Sequence, residues 1–157
     1  MSSAEGKSSF VYVTYIRATP ERVWRALTEP EFTRQFWAGT WQECEWKVGA
    51  PWRIMIPDGR VADQGEVLEI EPHRRLVLSW RNEFKPELRA EGTSRLTYLL
   101  EPEGDMVRLT LRHEIDRPQS RLIEAVSGGW PLILASLKSL LETGESLGVT
   151  RDWPKGA

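Results

Sequence analysis

Apolar and polar positions alternate with a period of two along most of this chain, and the alternation gives way to helical spacing twice, once near each end. Period two marks strands, whose successive side chains point to opposite faces. On that criterion strands are predicted at residues 10–16, 42–48, 52–56, 63–70, 76–81, 94–100 and 107–115. Between them stand Gly49-Ala50-Pro51, Pro57-Asp58-Gly59, Glu71-Pro72-His73 and Glu101-Pro102-Glu103-Gly104-Asp105. These are turn formers, Gly because it tolerates positive φ and Pro because its φ is preset. Connections this short join antiparallel neighbours, so the sheet is expected to be largely antiparallel.

The first interruption is residues 18–37, ATPERVWRALTEPEFTRQFW. Thr19 is a good N-cap, and Pro20 suits the first helical position, where a missing N–H costs nothing. Val23, Trp24 and Leu27 then form one apolar face. Glu29-Pro30 restarts the helix rather than continuing it, because the residue before a proline avoids the helical region. Phe32, Phe36 and Trp37 repeat the apolar spacing, so two short helices are expected, with Glu21 and Glu29 at their positive ends.

The second interruption carries Trp130, Ile133, Leu134, Leu137 and Leu141 on one face of an amphipathic helix of about four turns. Gly128-Gly129 and Pro131 are expected to break or kink the chain ahead of it, leaving residues 120–127 as a separate turn or a bent first section. Gly144 is its expected stop. The apolar side chains of this helix, at roughly 1.5–3 kcal/mol each on full burial, need a large apolar surface opposite. One face of the sheet supplies it through Trp52, Ile54 and Ile56, through Leu76, Leu78 and Trp80, through Leu96, Tyr98 and Leu100, and through Leu109, Leu111 and His113. The predicted architecture is α+β: a curved antiparallel sheet of six to seven strands, two short helices after strand one, and a long C-terminal helix packed across the sheet.

Five pieces of the chain carry a resemblance beyond this pattern: ATPERVWRALTEPEFTRQFW, EWKVGAPWRIMI leading to Asp58-Gly59, GEVLEIEPHRRLVLSW, VRLTLRHE and GWPLILASLKSLLE. In this order and spacing they resemble the START-like (SRPBCC) superfamily of helix-grip proteins, and within it the family of the C-terminal domain of the heat-shock-protein-90 ATPase activator. The similarity spans residues 10–147, leaving 1–9 and 148–157 as expected flexible tails. Two departures are Gly49-Ala50 with Pro51 in place of a Gly-Gly pair, and a stretch at 119–129 with less charge than such proteins carry. The resemblance implies the helix-grip fold and a cavity between sheet and helix, which in some relatives binds an apolar ligand and in a few acts as a cyclase. It brings no shared catalytic set.

Composition narrows the partners. A length of 157 residues fits one domain with room for a core and one ligand, and 21 basic against 23 acidic residues give no field for nucleic acid or an anionic membrane. No apolar run reaches the roughly 18–20 residues of a membrane span, and the first ten residues lack the apolar stretch of a signal peptide. The single cysteine, Cys44, rules out an internal disulfide and fits a reducing compartment, so a cytoplasmic location is the expectation. Two histidines and that cysteine, far apart in sequence, supply too few ligands for zinc or iron, and no metal or cofactor is expected.

The candidate site is the space between sheet and helix. Phe36 and Trp37 from the second short helix, Trp52, Ile54, Leu78, Trp80, Tyr98, Leu111 and His113 from inward strand positions, and Trp130, Leu134 and Leu137 from the long helix are its expected walls. Two outcomes stay open: an aromatic-lined cavity with a few polar groups, or rings that simply fill the core. His113 is either a hydrogen-bonded core imidazole or a ligand-orienting or acid–base group. His73 lies in a turn and is expected at the surface. Cys44, flanked by Glu43 and Glu45, is expected to be structural, its thiol pushed up by those carboxylates. Ser127-Gly128-Gly129 lacks the preceding strand and spacing of a nucleophile elbow or phosphate loop. The Glu and Arg residues that alternate along the strands are expected to pair across the exposed face, with Glu45 or Arg53 as exceptions at a cavity mouth. Trp24 and Leu27 are expected to anchor the helix pair to the sheet.

Three functions follow, in order. The first is a non-enzymatic protein that binds a small apolar or amphipathic ligand. The second is a module engaging a heat-shock-protein-90-type chaperone, set second because the length leaves no room for the activator's separate N-terminal domain. The third is a cyclase or hydrolase using His113 and a nearby carboxylate. A monomer and a homodimer both remain open, since exposed strand edges allow pairing.

Overall fold

In the computed structural model, which describes residues 6–153, the strands are β1 (Ser8–Ile16), β2 (Trp41–Cys44), β3 (Pro51–Met55), β4 (Val61–Glu71), β5 (Arg75–Asn82), β6 (Ser94–Glu103) and β7 (Met106–Ile115). Helices α1 (Pro20–Thr28) and α2 (Pro30–Phe36) follow β1, α3 (Pro86–Arg89) follows β5, and α4 (Arg121–Thr143) follows β7, with a 3-10 turn at Gly148–Thr150. The strands form one antiparallel sheet in the order β1-β7-β6-β5-β4-β3-β2. From β2 to β7 the chain meanders; β1 closes the far side against β7, and the α1–α2 pair carries the chain from one edge of the sheet to the other. Register shifts at Ile54/Met55 and Val67/Glu69 bend the strands around α4. This is the helix-grip α+β architecture read from the sequence.

The helix pair is built as its caps dictate. Thr19 accepts from the Arg22 amide at 3.2 Å, and Pro20 and Pro30 occupy first turns. Glu29 between the helices is extended (φ −92°, ψ 134°), the conformation that a following proline favours. Val23, Trp24 and Leu27 are buried. Beneath them the buried side chain of Gln42 donates to the Leu27 carbonyl at 2.6 Å and accepts from Trp52 Nε1 at 2.8 Å, which ties α1 to β2 and β3.

Three expectations need correction. Strand β2 stops at Cys44 rather than residue 48, because Trp46 and Gly49 take positive φ (51° and 86°) in a loop. Helix α4 is continuous through Gly128, Gly129 and Pro131. Proline removes one backbone bond, but both halves of the helix are pinned by burial: Leu122 and Ile123 against Leu88 and Ile115, then Trp130, Leu134, Leu137, Leu140 and Leu141 in the main core. Its start is held by Ser120, which caps the Ile123 amide at 3.1 Å, and by Glu91, whose carboxylate accepts from the amides of Arg121 (2.8 Å) and Leu122 (3.3 Å) and from the Ser120 hydroxyl. Gly144 ends it with φ 89°.

The third correction concerns the termini. Ser8 and Ser9 belong to β1, and the chain after 147 is not a loose tail as far as residue 153. Buried Thr150 donates to Ser136 Oγ at 2.6 Å, its carbonyl accepts from the Ala38 amide at 2.6 Å, and Trp153 packs edge-on against Phe84. A buried polar residue on α4, Ser136, thus finds its partners in this segment. Residues 1–5 and 154–157, also expected as tails, lie outside the described residues.

Gly65 in β4 has a specific steric reason. It pairs with Trp52, and a Cβ there would stand 1.9 Å from the Ser79 carbonyl oxygen of β5. No side chain fits that approach.

Candidate functional site

The inward side chains converge as expected, and most of them fill space rather than enclose it. Trp52 and Trp80 lie 4.8 Å apart, Trp37 and Trp130 5.2 Å, Trp80 and Trp130 5.7 Å, and Tyr98 meets Trp130 edge-on at 6.2 Å. Phe36, Trp52, Ile54, Leu78, Tyr98, Leu111, His113, Leu134 and Leu137 are buried in this packing and do not line the cleft described next. They pack as core side chains. Of the expected set, Trp37, Trp80 and Trp130 do line open space.

That space is a cleft of about 330 Å³ at the end of the sheet where β4 and β5 run out beneath the first half of α4. Its inner wall is the three indoles. Strands β4 and β5 contribute Ala62, Asp63 and Asn82; the loop beyond β5 contributes Phe84 and Lys85; α3 contributes Leu88. Helix α4 forms the opposite wall with Leu122, Ala125, Val126, Gly129 and Ile133, and Trp153 closes one side. Gly129 keeps this wall thin, since a Cβ built there meets no atom within 4 Å. Glu45 and Arg53, considered for a cavity mouth, lie elsewhere on the surface. The exposed-face pairing holds in Arg75–Glu69 (3.2 Å), Arg95–Glu69 (2.8 Å) and Arg108–Glu101 (2.9 Å).

Among the described residues one carboxyl group lines the cleft. Asp63 is half-buried, and its Oδ1 accepts from Trp80 Nε1 at 2.9 Å and from Asn82 Nδ2 at 3.2 Å. Burial pushes its pKa up to about 7, against the lowering effect of those two bonds and with a further upward push from the Glu83 charge. Glu83 is paired with Arg81 and Arg89. Lys85 stands at the exposed rim.

His113 sits behind the inner wall and is fully buried. Trp130 Nε1 donates to its Nδ1 at 3.1 Å, which puts the ring proton on Nε2, 2.8 Å from Ser94 Oγ; that hydroxyl donates onward to the Trp80 carbonyl at 3.0 Å. Both ring nitrogens are therefore occupied, and burial lowers its pKa to about 3. The imidazole is a neutral strut that fixes Trp130 and Trp80, and among the described residues no carboxylate is bonded to it. Among the described residues no group of three or more His, Cys, Asp and Glu is placed to hold a metal ion. His73 is exposed, and Cys44 is half-buried with its thiol raised by burial first and by Glu45 second.

Asp63, Asn82, Phe84, Lys85, Leu88, Leu122, Ala125, Val126, Gly129, Ile133 and Trp153 were not among the expected site residues. For two of them a signal existed: Asn82 continues the inward set Leu76, Leu78, Trp80, and Asp63 is its cross-strand partner, so both are polar residues at inward positions. A tryptophan at 153, within an expected tail, was a third sign, since an exposed indole leaves a large apolar area in water.

The family described as Activator of Hsp90 ATPase homolog 1-like protein matches residues 17–142. Among solved structures, protein MLL2253 from Mesorhizobium loti is 28% identical, with 86% of this chain and 97% of that one aligned at a TM-score of 0.73. CalU16 from Micromonospora echinospora is 24% identical over 87% of this chain and 77% of that one (TM-score 0.68). The solution structure of the Aha1 dimer from Colwellia psychrerythraea is 17% identical over 88% and 99% (TM-score 0.72). The last two likenesses establish the fold alone. None of the curated proteins compared matches the chain.

Proposed function

The chain belongs to the family of Activator of Hsp90 ATPase homolog 1-like proteins, and from that footing we propose that it binds a small amphipathic molecule, without turning it over, in the cleft between α4 and the ends of β4 and β5. One observation carries the reading: a cleft of about 330 Å³ walled by indoles and aliphatic side chains around the half-buried carboxyl group of Asp63. An apolar pocket with a few placed polar groups is the usual form of a small-molecule site, and this volume lies at the small end of the roughly 300–1,000 Å³ range. Binding without turnover is supported by His113, the expected acid–base group, which is neutral and has both nitrogens engaged. Cytoplasmic residence is part of this proposal; among the described residues no helix is long and apolar enough to cross a membrane.

The test is displacement of an apolar fluorescent dye, together with native mass spectrometry of protein purified from its source. The dye should bind the natural sequence and fail to bind Ala125→Trp, which fills the cleft from an exposed lining position while leaving thermal stability unchanged. No bound species and equal dye binding by both proteins would sink the reading.

A second reading, engagement of a heat-shock-protein-90-type chaperone, is favoured by the family's description and by edge strand β1, whose Val11, Val13 and Tyr15 are 41–46% exposed. Its readout is the ATPase rate of such a chaperone with and without the protein. An unchanged rate at saturating protein would remove it.

A further inference from the structure

The aromatic walls and the carboxyl group of the cleft together define more than apolarity. Asp63 uses one oxygen for Trp80 and Asn82, and its other oxygen has no hydrogen-bond partner among the described residues. Among the described residues no cation forms an ion pair with it; the positive charges at the cleft's lining are Lys85, at the exposed rim, and Arg60, whose guanidinium lies 4.9 Å over the Phe84 ring. From α4 come Leu122, Ala125, Val126, Gly129, Trp130 and Ile133, from α3 Leu88, and from β5 Trp80 and Asn82, none of them charged. The nearby charge that acts on Asp63 is Glu83, which is negative, while Arg81 and Arg89 are paired with Glu83. Lys85 projects from the exposed rim and forms no ion pair with Asp63. A half-buried carboxylate without a counterion is costly, and aromatic walls are an environment that favours a desolvated organic cation.

Resting on the ligand-binding reading above, we propose that the cleft selects an organic ammonium ion carried on an apolar or aromatic body, with the free oxygen of Asp63 as its anchor and the faces of Trp37, Trp80 and Trp130 as its walls. The ammonium donates to the carboxylate and supplies the counterion that the protein itself withholds. The tail lies along Val126, Gly129 and Ile133 of α4.

The choice of cation over neutral donor has a protonic signature. A cation binds the ionised form of Asp63, so its affinity falls as the carboxyl protonates; with a folded pKa of about 7, affinity should drop about tenfold from pH 8 to pH 6. A neutral alcohol shows no such fall. A ligand that accepts from the protonated acid shows the reverse.

The experiment uses three isosteric probes, 4-phenylbutylammonium, 4-phenylbutanol and 4-phenylbutyrate, titrated against the ¹⁵N-labelled full chain while the indole N–H signals are followed by NMR. The expected result is perturbation of the Trp80 and Trp130 signals, binding of the ammonium at least tenfold tighter than the alcohol at pH 8, and butyrate weakest. In Asp63→Asn, which keeps an acceptor for Trp80, the ammonium should lose at least tenfold and the alcohol should stay within about twofold. Equal affinity for ammonium and alcohol, or an ammonium affinity indifferent to Asp63→Asn, overturns the cation proposal while leaving a ligand cleft in place. Failure of all three probes to shift any cleft indole overturns the ligand-binding reading with it.

Discussion

Asp63→Asn also tests the electrostatics of the cleft without any ligand. The carboxyl moves from its ordinary value of 3.8 to about 7 on folding, chiefly through burial. For a group whose folded pKa is raised, the associated stability is fully present below the unfolded value and is lost as pH rises through the folded value. About three pKa units at roughly 1.4 kcal/mol each make the ionised carboxylate a liability of up to about 4 kcal/mol above pH 7. Asparagine is uncharged at every pH and keeps an oxygen for Trp80 Nε1, so it escapes that cost. At pH 5 the native carboxyl is mostly protonated, and well under half of the cost has developed; at pH 8 nearly all of it has. The advantage of the variant should therefore be about 3 kcal/mol larger at pH 8 than at pH 5. Guanidinium denaturation of both proteins at the two pH values measures it, and taking the difference between proteins cancels the titrating groups that do not interact with Asp63, which leaves its coupling to Glu83 within the measured difference. A stability difference that is the same within about 0.5 kcal/mol at both pH values, or that shrinks toward pH 8, would refute the reasoning.

Three further outcomes follow from the geometry. Gly65→Ala places a methyl group 1.9 Å from the Ser79 carbonyl oxygen and should cost about 3 kcal/mol or more in chemical denaturation, since backbone and not a flexible side chain must yield. Gly129→Ala meets no atom, so the helix should gain about 0.5–1 kcal/mol in thermal or chemical unfolding while the dye described above binds more weakly, because the added methyl group enters the cleft. Glu91→Gln removes the charge that accepts from the first amides of α4. Burial raises the Glu91 pKa, but the Ser120 hydroxyl, the Arg121 and Leu122 amides and the Arg117 charge outweigh it and hold the group below its ordinary value of 4.5. Its contribution is thus present above that value and lost as pH falls through the lower folded one, so the variant should be about 1–2 kcal/mol less stable at pH 7 and close to the natural sequence in strong acid, read by denaturation at both pH values.

What was legible in the sequence, and what was not, follows from how far each signal reaches along the chain. The cap at Thr19, the Glu29-Pro30 restart and the period-two strands are local, and the structure realises them, with β2 ending early at Cys44. The continuity of α4 was not legible because Gly128, Gly129 and Pro131 are local helix breakers overridden by distant partners: Leu88 and Ile115 on one side and the sheet on the other. The cleft failed to show for a related reason. Periodicity says which face a residue occupies but not whether opposing side chains meet, and here Trp52, Trp80, Tyr98 and Trp130 meet so closely that the middle of the interior is solid. The cleft opens where the inward row turns polar, at Asn82 and its partner Asp63, and where α4 thins to Gly129. The histidine that looked most chemical became a strut because Trp130 and Ser94 occupy both its ring nitrogens, while Asp63, which the sequence marked only as the start of a strand, faces the cleft because its strand end lies under a helix and a returning tryptophan. In this fold the informative sequence signal is a polar residue that breaks an inward apolar row near the end of a strand, since it marks where packing stops and a guest can begin.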